Sequence, residues 1–205
     1  MPRISKEESL ARRDQIIDAC EVLYQQRGYR DVTMSQVAER LSFGRANIYN
    51  YFRNKDEILL ALLQREHELW AADLERLATN VATASNEELA DGLATSLVRR
   101  EQMLKLMAMN LYDMEQNSRL QNLADLKRAY AWALKALHGL VVAARPEWGA
   151  ERVDGFVYAL MPFTLGIYTY AHHTPKQLEA MAAAGLPKPH NTTYGLVYDL
   201  VLQLL

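Results

Sequence analysis

Helical periodicity runs through this chain with few interruptions, and that limits the folds open to it more than any other feature. Only nine of its 205 residues are glycine and six are proline. The clear breaks are Gly28, Ser42–Gly44, "RPEWG" at 145–149 and "GLPKPHN" at 185–191. Between them apolar residues recur about every 3.6 positions. Ile16, Ile17, Cys20, Leu23 and Tyr24 stand at i, i+1, i+4, i+7 and i+8, one face of a helix. Ala, Leu, Glu, Gln, Arg and Met are plentiful, and their side chains lose little rotamer freedom in a helix. The pattern predicts an all-α chain of about nine or ten helices.

The breaks give the boundaries. A first helix is expected over 4–27, ended by Gly28, which suits the position after a helix. Thr33, with Gln36 three residues on, is a capping box at the head of a short second helix over "VTMSQVAERL". Gly44 can cap a third, Arg45–Phe52, and a long fourth runs from about residue 56 to about 78. "TNVATASNEEL" reads as a linker, with Ser85 or Asn86 capping the next start. Further helices are expected over 86–98, 101–115, 118–144, 150–172, 175–184 and 192–204. Two domains follow from this organisation, 1–55 and 56–205.

Half the residues are hydrophobic, enough to bury a sizeable core. One cysteine, Cys20, permits no internal disulfide and suits a reducing compartment. The N-terminus is polar and unlike a secretory signal. The most apolar run, 156–171, is short for a membrane span and contains Pro162, Gly166 and several tyrosines. A soluble, cytoplasmic protein with no membrane partner is expected.

Charge is uneven. Residues 1–55 hold ten Lys and Arg against seven Asp and Glu, whereas the whole chain is net −2. A basic segment on an acidic body fits a localised anionic partner, and equally fits an ordinary solvated face. Within "RLSFGRANIYNYFRNKDEI", residues 40–58, the run from Arg40 to Lys55 carries four basic residues and no acidic ones, interleaved with aromatic rings and asparagines.

That stretch joins the second and third helices by a three- or four-residue turn, the geometry of a helix-turn-helix. Ile48 and Phe52 lie four apart and can pack inward. Arg45, Ala46, Asn47 and the 49–51 segment are left for the outer surface. Arginine matches guanine O6 and N7, and asparagine matches adenine N6 and N7. Tyrosine, arginine and lysine near the ends can hold phosphates. The same spacing also fits a short polar helix between two longer ones in an unrelated all-α protein.

The residues go further than the spacing. "VTMSQVAERLSFGRANIYNYFRNKDEILLALL" resembles the N-terminal domain of tetracycline-repressor-like (TetR family) regulators. Thr33, Val37-Ala38, Ile48-Tyr49-Asn50-Tyr51-Phe52 and Asn54-Lys55-Asp56 fall on the family pattern in order, and "IIDACEVLYQQRGYRDVTM" fits its opening. The match covers about residues 12–63. The resemblance implies an N-terminal three-helix helix-turn-helix DNA-binding domain and a C-terminal helical ligand-binding and dimerisation domain. By position it places Arg45, Ala46, Asn47 and Asn50 against bases, and Thr33, Tyr49, Tyr51 and Lys55 against the DNA backbone. Arg3 and Lys6 can reach an adjacent groove or form a charged tail. The family carries Gly where Ser42 stands and Ser where Gly44 stands. Gly44 is then a slightly poorer cap, and Ser42 would resist any turn that needs a positive φ.

The C-terminal region offers a methionine-rich face. Met103, Met107, Asn110 and Met114 follow i, i+4, i+7 and i+11. Methionine adapts to irregular cavities, and an asparagine among apolar neighbours seeks a partner. Trp132, Tyr158, Met161, Leu165 and Tyr168 can line the same cavity, with Pro162 bending their helix. The alternative is a plain core in which a neighbouring helix satisfies Asn110. Adjacent His172 and His173 point about 100° apart on a helix and have no ligand at i±4, so no metal and no cofactor is expected. The last helices are unusually apolar, with Leu196, Val197, Leu200, Val201 and Leu204 on the final one. That suits a two-fold helical interface, or burial within one chain.

Three functions compete. A homodimeric transcriptional repressor fits best, bound to a palindromic double-stranded operator and released by a small, largely apolar effector. An enzyme would need a motif, and no nucleophile elbow, P-loop, dinucleotide fingerprint or zinc spacing occurs. A helical carrier without DNA binding would not need the cationic stretch.

Overall fold

Helix ends in this chain are set by a few local contacts, and these account for the element boundaries of the computed structural model, which describes residues 5–205. The order is α1 (Lys6–Arg27), α2 (Met34–Glu39), α3 (Arg45–Ile48), α4 (Lys55–Ala78), α5 (Asn86–Val98), α6 (Glu101–Gln116), α7 (Leu120–Ala144), α8 (Ala150–Ala171), α9 (Pro175–Ala183) and α10 (Thr193–Leu204). The all-α expectation holds. The expected start at Ile4, and Arg3, lie outside the described residues.

Ser5 caps α1 by accepting from the Glu8 N–H. Gly28 ends it at φ 80°, its N–H donating to the Tyr24 carbonyl. The expected capping box at α2 is present: Thr33 Oγ1 accepts from the Gln36 N–H at 3.3 Å, and Gln36 Oε1 accepts from the Thr33 N–H at 3.1 Å. Ser85 and Glu88 form a second such box at α5. Each satisfies N–H groups that the first helical turn leaves without partners.

The third helix is shorter than its sequence predicts. Regular α geometry ends at Ile48, and Tyr49–Tyr51 form turns. Asn50 and Tyr51 donate to carbonyls three residues back, Asn47 and Ile48, a tighter winding than α. The Tyr51 carbonyl is taken by the distant Arg119, 2.8 Å away, in place of a helical N–H. Phe52 still donates to the Ile48 carbonyl at 3.0 Å, so Ile48 and Phe52 keep a common face.

Among the described residues no side-chain-bearing residue has a positive φ, so Ser42 sits in the turn without that strain. Gly44 is extended, at φ −69° and ψ 158°, and gives no side-chain cap. The turn therefore makes no demand that only glycine can meet.

By contact the chain divides into two units. One holds the residues up to Arg65 together with Asn110–Arg128; the other holds Glu66–Met109 and Ala129–Leu205. A break at 55/56 falls in the first turn of α4. In the first unit α1 packs on α2 and α2 on α3. Its core includes Ile16, Ile17, Cys20, Leu23, Val37, Ile48 and Phe52. Burial pushes the Cys20 thiol up to about 12, so the residue serves as an un-ionised core side chain.

In the second unit α10 packs against α5 and α8, burying Val197 and Val201. The buried Trp70 donates from Nε1 to Ser96 Oγ at 3.1 Å. Arg100 donates to Asp73 at 3.1 and 2.8 Å, so a buried carboxylate has its partner. Pro162 is accommodated inside α8 on an exposed side. Among the described residues no helix is long and apolar enough to cross a membrane.

A Cβ placed on Gly44 would meet nothing within 4 Å. Gly44→Ser adds the missing hydroxyl cap and reduces the freedom of the unfolded chain. It should raise stability by about 0.5–1 kcal/mol. The urea midpoint should rise at constant slope; a lower midpoint would mean that the turn requires glycine.

Candidate nucleic-acid interface

Two apolar side chains decide which way the 45–52 segment faces. Ile48 and Phe52 are buried, removing side-chain surface worth roughly 1.5–3 kcal/mol each from water. With that side fixed inward, Arg45, Ala46, Asn47, Tyr49 and Asn50 are all exposed. The five outward residues that the sequence assigned to DNA are therefore brought together on one open surface. Thr33 is exposed at the head of α2, while Tyr51 and Lys55 are half-buried at the trailing end.

Several of these groups already have partners within the first unit. Arg45 donates to the Tyr49 hydroxyl from Nε at 3.2 Å and from Nη2 at 2.8 Å, with its guanidinium 5.6 Å from that ring. The pair fixes the guanidinium beside the Tyr49 ring. Lys55 donates to the Tyr29 carbonyl at 2.6 Å and lies 4.0 Å from the Tyr29 ring centroid. An ammonium has three donors, so this contact aims Lys55 without exhausting it. The Tyr29 hydroxyl donates to Asp56 at 2.7 Å. Burial, then that bond, drives the phenol well above its ordinary value.

Beneath the surface lies a network whose full membership has no local mark in the sequence. Glu57, in the first turn of α4, is completely buried. Its carboxylate accepts from the Arg53 N–H at 2.7 Å and the Arg119 N–H at 3.1 Å. It also takes the fork of the Arg119 guanidinium, Nε to Oε1 and Nη2 to Oε2, both at 2.7 Å. Arg119 Nη2 reaches the Tyr51 carbonyl as well. Alongside, Asn117 Nδ2 donates to Asp56 at 2.8 Å, and Asn54 Nδ2 donates to the Asn117 carbonyl at 2.9 Å. Burial alone would raise the Glu57 pKa; the bonds from Arg119 and from two backbone N–H groups outweigh it and hold it below the usual carboxylate range. Its partner pushes the Arg119 guanidinium up.

The residues expected to bind a ligand are dispersed. Met103, Met107 and Met161 are buried in the second unit, and Met114 is buried in the first. Asn110 also belongs to the first unit, where its Oδ1 accepts from the Tyr24 hydroxyl at 2.9 Å. The single methionine-rich face is thus split, and a protein hydroxyl takes the asparagine carbonyl. Trp132 donates from Nε1 to Glu75 at 2.7 Å. Tyr168 stacks on His172 with ring centroids 4.4 Å apart. Tyr158 and Leu165 are 69% and 45% exposed, on the outside of α8. A half-open apolar cavity of about 400 Å³ is lined by Pro162, Phe163, Gly166, Ile167, Tyr170 and Leu196, none of them among the expected ligand residues. His172 pairs with Glu101 at 3.2 Å, and among the described residues no three His, Cys, Asp or Glu side chains gather as metal ligands.

Residues 16–62 match the family of bacterial regulatory proteins named after the tetracycline repressor, and residues 64–193 match the tetracycline-repressor-like C-terminal domain. The chain belongs to the TetR family. An HTH-type transcriptional repressor of Mycobacterium tuberculosis is 29% identical over 131 residues, 64% of this chain and 63% of that protein. The transcriptional regulator TtgR of Pseudomonas putida is 41% identical over 68 residues, 33% of this chain and 32% of its own. These matches thus span less than two thirds of either relative. FadR of Bacillus subtilis, solved in complex with stearoyl-CoA, superposes with a TM-score of 0.60 at 17% identity. That superposition covers 93% of this chain and 96% of FadR, a likeness of fold. Membership of the TetR family accounts for the helix-turn-helix and for the order of its motifs.

Because Glu57 is more acidic folded than unfolded, its pairing stabilises the fold at neutral pH. The contribution fades as pH falls below the usual carboxylate range. Glu57→Gln should be less stable at neutral pH and should lose less on acidification. Urea midpoints measured from neutral to strongly acidic pH test this; parallel curves for the two proteins would contradict it.

Proposed function

We propose that the protein is a homodimeric, sequence-specific DNA-binding repressor, released from a palindromic operator by a small, largely apolar effector. The observation that carries the reading is the exposed Arg45, Ala46, Asn47 and Asn50 surface, held outward by buried Ile48 and Phe52. In the bound state Arg45 and Asn47 read base edges, with Asn50 and Ala46 beside them. Thr33, Tyr49, Tyr51 and Lys55 hold phosphates and set register.

One short helix makes few base contacts, so a pair of chains reading two half-sites is the form that gives useful specificity. The α8 and α10 surface supports pairing. Leu196, Leu200 and Leu204 remain partly exposed on α10, while Tyr158, Leu165 and Tyr170 are exposed on α8. In this reading Tyr158 and Leu165 meet the second copy. Met103, Met107, Met161, Trp132 and Tyr168 remain the candidates for effector contact, and Asn110 and Met114 stabilise the DNA-binding unit. That FadR was solved in complex with stearoyl-CoA supports an effector with a large apolar part, such as that ligand's acyl chain. Binding shifts the population toward a state whose two readers no longer fit successive major-groove faces. Helix α4 passes from one unit to the other and carries the shift.

Selection of bound duplexes from random DNA, with and without candidate effectors, tests the proposal. A recovered two-fold motif is expected; recovery of unselected sequence would refute base reading. Arg45→Ala or Asn47→Ala should relax preference at one position per half-site, costing about 1–3 kcal/mol for each lost bidentate contact. Competition with single-base operator variants measures this, and unchanged discrimination would remove the residue from base reading. Leu200→Glu should convert the dimer to monomer in sedimentation, and an intact dimer would exclude α10 from the interface.

A further inference from the structure

The recognition segment ends in a carbonyl that its own helix does not satisfy. The Tyr51 oxygen would accept from residue 55 if the helix continued; it accepts from Arg119 Nη2, 68 residues away. The same nitrogen, with Nε, clamps Glu57, whose second oxygen also holds the Arg53 N–H. The guanidinium therefore ties three consecutive features together: the last turn of the recognition segment, the link at Arg53, and the first turn of α4. The clamp is reinforced by Asn117, whose side chain donates to Asp56 and whose carbonyl accepts from Asn54. All these residues lie in the first unit, to which Asn110–Arg128 belongs despite the distance in sequence.

We infer that the α6–α7 turn is a working part of the DNA reader, and that Arg119 is a positioning residue that fixes the recognition segment against α4. The inference rests on the base-reading role proposed for Arg45, Asn47 and Asn50. Three properties of the contact favour a positioning role over a plain stabilising one. The fork is planar and bidentate, so it fixes orientation as well as distance. Its anionic partner has no exposure while the guanidinium covers it, so losing the fork leaves a carboxylate without its charged donor. And its third bond falls on the backbone of Tyr51, two residues after Tyr49 and one after Asn50, so a shift of the turn is passed directly to the reading surface. The clamp thus sits where α6 ends and α7 begins.

Arg119→Lys tests the inference while keeping the charge beside Glu57. A lysine donates from a single atom and cannot span both Glu57 oxygens and the Tyr51 carbonyl. Affinity for the operator selected by the wild-type protein should fall roughly tenfold, the size of an ordinary coupling between sites. Affinity for random duplex should fall far less, and its dependence on salt should hold, because Thr33 and Lys55 and the number of charges are untouched. Amide hydrogen exchange at residues 49–52 should accelerate relative to α1. Equal losses on operator and random DNA, or no loss on either, in a folded variant would overturn the inference. If the wild-type protein selects no operator, the base-reading proposal fails, and hydrogen exchange still decides whether Arg119 fixes the segment: unchanged protection at 49–52 would refute it. Should Arg119→Lys fail to fold, the double variant Glu57→Gln with Arg119→Gln removes both charges and takes the same measurements.

Discussion

A carboxylate with no exposed surface stands at the start of the helix that leaves the DNA-binding unit. Covered by Arg119, Glu57 has no exposed surface and its charge is matched by protein donors that tie the end of the 45–52 segment to α4. One comes from the chain immediately before α4, and the others come from a turn 62 residues later. A buried charge of this kind is a poor source of net stability compared with an apolar pair of the same size. It is a good source of orientation, because a misplaced guanidinium leaves the charge unmatched.

The exposed surface of residues 45–50, the proposed base reader, depends on two layers. Ile48 and Phe52 set which side of the segment faces in. The Arg119 fork sets how the segment's last turn is wound, by claiming the Tyr51 carbonyl. Arg45 is held against Tyr49, so in the base-reading role proposed for it the phenol would give way to a base edge. Lys55 is likewise aimed by Tyr29. The surface is thus partly organised before any partner arrives, which limits the side-chain ordering that binding must impose.

Elsewhere the same residues changed meaning with their surroundings. The methionine-rich face looked continuous because periodicity reports only which side of a helix a residue occupies. It does not report what that side faces, and α6 faces different surroundings along its length: Met103 and Met107 are buried in one unit, whereas Asn110 and Met114 belong to the other. Tyr158, Met161 and Leu165 share a helix, yet only Met161 is buried, because the apolar content of α8 exceeds what one face can hide.

Helix positions, caps and the Ile48 and Phe52 anchors were legible in the sequence, because each depends on residues a few positions apart: a hydroxyl and an amide three residues on, two apolar groups four apart, a glycine after the last turn. The family resemblance was legible for the same reason, since its motif lies within about 50 residues. Only the tertiary structure decided that α3 stops at Ile48, that Ser42 needs no positive φ, that Asn110 answers Tyr24, and that Asn110–Arg128 joins the DNA-binding unit. Those outcomes depend on groups far apart in the chain. Arg119 carries no local mark that distinguishes it from any other arginine beside a helix start, and its partners are fixed by packing at long range.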